Sequence, residues 1–208
     1  MLLNQPVQVQ ATPLWLTISV LLAEAPATIE DDRALVQAAR ADLRAFNGLY
    51  ERHVTRVYRY LLVRVGNVAD AEDLTSQTFL VAMENLDKYK GERPFLAWLF
   101  GIARHKVADK YRRQKPELML ETAVDLADPQ DDPDDFVSQK LQIEAVAQKL
   151  QTLSPDRAEV ISLRLFGGLD IPEIARLMRK QEPAVRMLLH RGLQDLQTRL
   201  NPNQEATV

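Results

Sequence analysis

Residues 170–200 read DIPEIARLMRKQEPAVRMLLHRGLQDLQTRL, and this stretch decides the class of chain. Asp170 and Glu173 have the spacing of a capping box, with Asp in place of the usual Ser or Thr, so a helix is expected to start there. The break RKQE at 179–182 interrupts it. Pro183 suits the start of a second helix, because its missing N–H would have no partner in a first turn. Asn201-Pro202 then closes that helix. Two short helices joined by a tight turn are arranged like a helix-turn-helix, and the second carries Arg186, His190 and Arg191 at i, i+4 and i+5.

Moving upstream, the same helical grammar repeats. Ser154-Pro155 reads as an N-cap followed by a helix-opening proline, and DRAEVISLRLF (156–166) runs up to Gly167-Gly168. A further helical segment begins near Phe136 and continues through LQIEAVAQKLQTL. Before it, residues 116–135 hold eight Asp/Glu, three Pro and no Lys or Arg, which reads as a solvated acidic linker. Beyond the linker the charge reverses. Residues 88–115, KYKGERPFLAWLFGIARHKVADKYRRQK, carry nine Lys/Arg against Glu92 and Asp109, about +7 in a chain of formal net charge -3.

Pro94 suits the start of a helix running to Pro116. On it Arg104, Ala108 and Arg112 share a stripe, with His105 and Arg113 beside it. Phe95, Leu99, Ile102 and Val107 fall largely opposite and are expected in the core, with Trp98 near the boundary. KYKGER has little apolar periodicity and should be a loop. Upstream, DAEDLTSQTFLVAMENL (70–86) reads as a helix with Asp70 as a candidate cap. From Asp32, one helical run is marked by Leu35, Ala38, Phe46, Leu49, Val54, Val57, Leu61 and Val65, ending at Gly66-Asn67. Alternating strand patterns are absent, so the fold is expected to be all-α: two small helical domains joined by an acidic flexible linker, the second a helix-turn-helix domain.

The boundaries are an extension at 1–30, a first domain at 31–115, the linker at 116–135, a second domain at 136–202 and a tail at 203–208. For the extension, disorder and a small docking helix are the two readings. Its apolar run PLWLTISVLLAEAP is about half the roughly twenty residues that a membrane span needs, and no Lys or Arg precedes Arg33 as a secretory signal would require. Direct membrane insertion is therefore not expected. Composition is 46% hydrophobic and 26% charged, ordinary for a chain that builds a core. No Cys occurs, which excludes disulfides and thiolate centres and fits a reducing cytoplasm.

A basic stripe beside aromatics suits single-stranded nucleic acid, where cations track phosphates and rings stack on unpaired bases. A solvated helix face with buried aromatics is the plain alternative. With a helix-turn-helix downstream, the combination points to a protein that reads duplex DNA at one place and holds opened strands at another. No phosphate-binding loop, HExxH or GxSxG motif is present, and His53, His105 and His190 are scattered, so neither catalysis nor a metal or other cofactor is expected. A helix-turn-helix regulator binding duplex DNA without a polymerase explains residues 155–200 and leaves the Trp98 stripe unexplained. A helical adaptor with no DNA role is the third reading, and weak affinity for any nucleic acid at low salt would favour it.

The order FNGLYERHVTRVYRYLLVRVGNVADAEDLTSQTFLVAMENLDKYKGERPFLAWLFGIARHKVADKYRRQK, then an acidic linker, then LSPDRAEVISLRLFGGLDIPEIARLM and AVRMLLHRGLQDLQTRL, resembles bacterial RNA polymerase sigma factors of the extracytoplasmic-function group, over about residues 33–200. The resemblance implies region 2 in the first block and region 4 in the second, with core RNA polymerase (clamp helices and flap) and promoter DNA as partners and an anti-sigma factor as a further expected one. It places Asp73, Leu74, Gln77, Thr78 and Phe79 on the clamp. Lys88, Lys90 and Arg93, in or beside the base-capturing loop, join Trp98, Arg104, His105, Arg112 and Arg113 on the -10 strand. At the -35 element it places Gln181, Arg186, Met187, His190 and Arg191. Three positions depart from the family pattern: His105 stands where Asn is usual, Arg179 replaces the turn Gly, and Pro183 replaces a Gly. An Arg at positive φ is strained, so a rearranged turn is the expectation.

Overall fold

The structure, a computed structural model, describes residues 29–114 and 146–200. The expectations for the extension, the linker, the start of the second domain and the tail concern residues outside these. All regular elements among the described residues are helical. They are α1 (Ile29–Ala41), α2 (Phe46–Val65), α3 (Val68–Glu84), α4 (Phe95–Gln114), α5 (Pro155–Leu165), α6 (Ile171–Met178) and α7 (Glu182–Leu200), with a further helical stretch at 146–151.

The long run from Asp32 to Val65 is two helices, not one. Asp42 breaks it: its side chain accepts from the Arg44 amide at 2.9 Å and caps a 3-10 turn at Leu43–Ala45. Such a local side-chain bond competes with the helical ladder, which is why Asp favours helix ends. The break lets α1 fold back so that Val36 and Ala39 join Phe46 and Leu49 in the core. Buried Asp32 then meets buried His53, Nε2 lying 3.0 Å from the carboxylate, and this pair ties α1 to α2.

Gly66 ends α2 at φ 82, a left-handed conformation that costs Gly nothing sterically, and its amide donates to the Leu62 carbonyl at 2.8 Å. The cap of α3 is Asn67 rather than Asp70: the Asn67 side chain accepts from the Asp70 amide at 2.8 Å, and Asp70 sits inside the first turn. The capping box at Asp170 and Glu173 forms in both directions, at 2.7 and 2.9 Å. Ser154 stands at the N-cap of α5 with Pro155 behind it, but its side chain makes no capping bond.

Helices α1–α4 pack around Leu49, Val57, Leu61, Phe95 and Leu99, and α5–α7 around Ile161, Leu163, Ile174 and Val185. The two domains also touch each other. Gly167 sits so close to Phe100 that an added Cβ would meet the ring at 2.7 Å, and Gln151 donates to the Val63 carbonyl at 3.3 Å beside Gly66.

Candidate nucleic-acid and polymerase interfaces

The loop between α3 and α4 is held from below by α1. Arg40 donates to the Leu86 carbonyl at 3.1 Å and to the Tyr89 carbonyl, and Arg33 reaches the Gly91 carbonyl at 3.4 Å. Gly91 has φ 72, and a Cβ there would meet nothing within 4 Å, so the loop tip faces open space. Below the tip, Tyr89, Phe95 and Trp98 form an aromatic cluster with ring centroids 5.3–5.5 Å apart. Tyr89 and Phe95 are buried, while Trp98 is only partly so. Trp98 therefore does both things that the sequence left open: it packs on the core and keeps an accessible edge.

The exposed cations Lys88, Lys90 and Arg93 lie on the loop, and the exposed His105, Arg112 and Arg113 follow along α4, the last two about 20 Å down the helix from Trp98. Phe95, Leu99 and Val107 are buried on the other side, as the periodicity requires, and Ile102 is partly buried. Arg104 behaves differently. Its Nε lies 2.8 Å from Glu159 of the second domain, and it donates to the Leu177 carbonyl at the end of α6. Glu159 is 4% exposed and also holds the Tyr60 hydroxyl at 2.8 Å and the Arg64 Nε at 2.9 Å. Burial, then the adjacent Glu159 charge, pushes the Tyr60 phenol well above the ordinary tyrosine range, so it stays a hydrogen-bond donor. Nothing local in DRAEVISLRLF marks Glu159 as the centre of such a cluster, because all three partners come from the other domain.

On α3 the five residues aligned with the clamp-docking pattern divide. Asp73 is exposed and Gln77 half-buried, joined by a 2.7 Å hydrogen bond. Leu74, Thr78 and Phe79 are buried, so a direct contact with another protein is not open to them. Thr78 bonds back to the Leu74 carbonyl, and Phe79 stacks edge-on against Phe46 and Tyr50. They support the helix instead. On the same helix Leu80 is 51% exposed, and Tyr50, stacked on Phe79, is 40% exposed; the family pattern marks neither. Leu80 was legible as an apolar residue off the buried face of α3. Asp70 braces this region from the next turn. Partial burial acts against its charge, but the Asn67 amide and Lys110, 2.5 Å away, hold its carboxyl below the usual range.

In the second domain, α7 lies across α5. An added Cβ at Gly192 would meet the tip of the Ile161 side chain at 2.8 Å, so the two helices cross closely here. Val185 and Leu196 are buried, whereas Gln181, Arg186, Met187, His190 and Arg191 are all exposed. Met187 is 54% exposed, an apolar side chain beside these polar ones. Arg186 is held loosely by Glu182 at 3.3 Å, one turn back. The expected rearrangement of the turn does not occur. Arg179 adopts φ 55 and ψ 43, its amide donates to the Arg176 carbonyl and the Lys180 amide to the Ala175 carbonyl, the two bonds of a Schellman motif. The backbone keeps the left-handed turn and accepts the strain.

A chain with a helix-turn-helix unit at one end and a basic, aromatic-edged helical unit at the other is built to engage DNA in two ways. The comparisons with known proteins agree. The Sigma-70 region 2 family matches residues 49–117, and the Sigma-70 region 4 family matches residues 143–196. The ECF RNA polymerase sigma factor BldN of Streptomyces coelicolor is 39% identical over 80% of this chain, which spans 63% of the length of that protein. RNA polymerase sigma factor CnrH of Cupriavidus metallidurans is 30% identical over 84% of this chain and 96% of its own length. The solved structure of CnrH in complex with the cytosolic domain of CnrY superposes with a TM-score of 0.63 at 28% identity, over 83% of this chain and 99% of that one. The chain belongs to the sigma-70 family of RNA polymerase sigma factors, within its extracytoplasmic-function group. No helix among the described residues is long and apolar enough to cross a membrane.

Proposed function

We propose that this chain acts in the cytoplasm as a promoter-specificity subunit without catalytic chemistry of its own. It brings core RNA polymerase to promoters, its first domain opening and holding the -10 element and its second reading the -35 element. The observation that carries this reading is the pairing of two exposed DNA-suited faces of different chemistry on one chain. The α7 face offers Arg186, His190 and Arg191 for base edges and phosphates and the exposed Met187 for a thymine methyl. The loop and α4 offer a run of exposed cations together with the accessible edge of Trp98, where an unpaired base gains about 1–3 kcal/mol by stacking. The loop tip at Gly91 has room for a flipped base, whose extrusion costs a few kcal/mol that these contacts offset.

Docking on polymerase falls to the Asp73, Gln77 and Leu80 surface of α3, with the second domain meeting the flap. Arg104 enters DNA binding only after its contacts with Glu159 and Leu177 break, so the domains separate as the initiation complex forms. An anti-sigma partner is part of this reading, supported by the solved complex of CnrH with the cytosolic domain of CnrY. A regulator acting without polymerase has no use for the α4 face.

The test is transcription in vitro with core polymerase on duplex templates and on the same templates with a pre-melted bubble. Trp98→Ala should lose permanganate-reactive opening on duplex DNA and recover on the bubble. Equal loss on both templates would make Trp98 a packing residue and remove the strand-opening role.

A further inference from the structure

The turn of the second domain holds a side chain that its own fold does not explain. Arg179 is the only non-glycine residue with positive φ among the described residues. Glycine is the low-cost residue at this position of a Schellman turn, and Asn the usual substitute. An Arg gains nothing there from packing: it is exposed, and its guanidinium has no hydrogen-bond or ion-pair partner among the described residues. Its neighbours differ. Lys180 is neutralised by Asp156 at 2.9 Å, and Arg176 donates Nε to the Pro172 carbonyl at 3.2 Å. Arg179 and Arg176 line one open concavity with Gln181, the residue that leads into the exposed face of α7.

We infer that Arg179 is a phosphate anchor for the duplex: the left-handed turn presents its unpartnered guanidinium at the rim of the concavity, where the DNA backbone passes as α7 enters the major groove. The inference rests on the reading that the second domain binds duplex DNA. Three points favour a phosphate over a base edge. The residue stands in the turn, ahead of the helix that reads bases. A guanidinium fork matches two phosphate oxygens. The helix-turn-helix mode places such flanking groups on the backbone. The helices packed on either side hold the turn whatever residue stands at 179, so what the Arg side chain adds must come from outside the fold.

The proposal predicts effects of opposite sign on stability and on binding. Arg179→Gly relieves the left-handed strain and removes the cation, so the melting temperature should rise by about 2–6 °C. Affinity for duplex should nevertheless fall several-fold near 0.15 M salt, with the log-log salt slope reduced by about 0.9 and base preference unchanged. Arg179→Asn, which tolerates the same φ without the charge, should lose binding equally. Arg179→Lys should keep the slope. The assay uses the full chain assembled with core polymerase, on a promoter fragment recovered by that holoenzyme from a genomic library, with Arg186→Ala as the control for the reading helix. A more stable Arg179→Gly with unchanged affinity and slope would overturn the anchor while Arg186→Ala still shows its loss. Altered base preference in Arg179→Gly would overturn it in favour of a shifted docking angle. If Arg186→Ala and Arg179→Gly are both silent, duplex reading by this domain fails, and the anchor with it.

Discussion

Replacing Glu159 by Ala removes the carboxylate on which the two domains meet, and the size of the effect can be built from its contacts. One hydrogen bond and two ion pairs converge on it: the Tyr60 hydroxyl donates at 2.8 Å, and Arg64 Nε and Arg104 Nε lie 2.9 and 2.8 Å away. Even at about 1.5–3 kcal/mol for each, the size of a charge-assisted hydrogen bond, the three would sum to about 5–9 kcal/mol only if fully buried. That total is too large here, because the Arg64 and Arg104 side chains keep 19% and 34% exposure and regain water when the partner is lost. The Tyr60 hydroxyl cannot, and leaving it without an acceptor costs about 1–3 kcal/mol. A net loss of about 3 kcal/mol results, at the low end of what removing one partner of a buried ion pair costs.

Because the donors lie on α2 and α4 and the acceptor on α5, that loss falls on the contact between the domains. It lowers the ratio of closed to open forms about 150-fold. The chain contains no Cys, so a pair of introduced thiols at exposed Lys90 and Gln197 can be labelled without further changes. Single-molecule energy transfer should show a broad, longer distance distribution in Glu159→Ala, with a smaller change in Glu159→Gln, whose amide oxygen still accepts from Tyr60, and unfolding of the Ala variant should separate into two transitions. Freed Arg104 should also raise affinity for a single-stranded oligonucleotide in the absence of polymerase, whereas a damaged fold would lower it. An unchanged distance distribution together with one transition at the wild-type midpoint would refute the account of Glu159.

Other expectations follow from local geometry. Asp70 has its folded-state carboxyl lowered, so its stabilising contribution is complete above the ordinary Asp range and lost as pH falls through the lowered value. Denaturant titrations from pH 3 to 7 should therefore show a weaker acid dependence in Asp70→Asn. Gly192→Ala puts a Cβ 2.8 Å from the tip of Ile161, and overpacking of about 1–3 kcal/mol, offset by about 1 kcal/mol of helix propensity, should leave the second domain less stable by up to about 2 kcal/mol in chemical denaturation. On α3, Leu80→Ser combined with Asp73→Lys should weaken core-polymerase affinity and leave the melting temperature within about 1 °C, because both side chains are exposed. Full affinity in that double variant would move the docking surface elsewhere.

What could be read from the chain beforehand was whatever depends on neighbours a few residues away. The capping box at Asp170 and Glu173, the α4 face with Phe95, Leu99 and Val107 inside, and the turn after Met178 are set by spacing and by single-residue chemistry. Asp42 and Asn67 show the limit of that method. Each is a polar residue able to cap, as Asp70 is, and only the observed backbone decides which side chain meets which amide. The docking helix shows a second limit. A pattern shared with a family mixes residues that touch the partner with residues that hold the helix, and burial then assigns Leu74, Thr78 and Phe79 to the latter.

Glu159 and Arg179 lay beyond reach for opposite reasons. Glu159 stands in an apolar run where a carboxylate would ordinarily face water, and its meaning comes from Tyr60, Arg64 and Arg104 in the other domain. Arg179 was visible as an anomaly, and a rearranged turn was the natural expectation because αL costs an ordinary residue about 1–2 kcal/mol. The structure keeps the turn because two backbone hydrogen bonds and the buried Ile174, Ala175 and Met178 fix it on one side, and buried Val185 on the other. Local strain of this size is too small to displace a packed helix pair. The same comparison of magnitudes explains why Arg104 rests on Glu159 in the isolated chain. A buried carboxylate with three donors outweighs solvent, and only a ligand offering comparable charge, such as a phosphate-rich strand held in place by polymerase, can draw the guanidinium away.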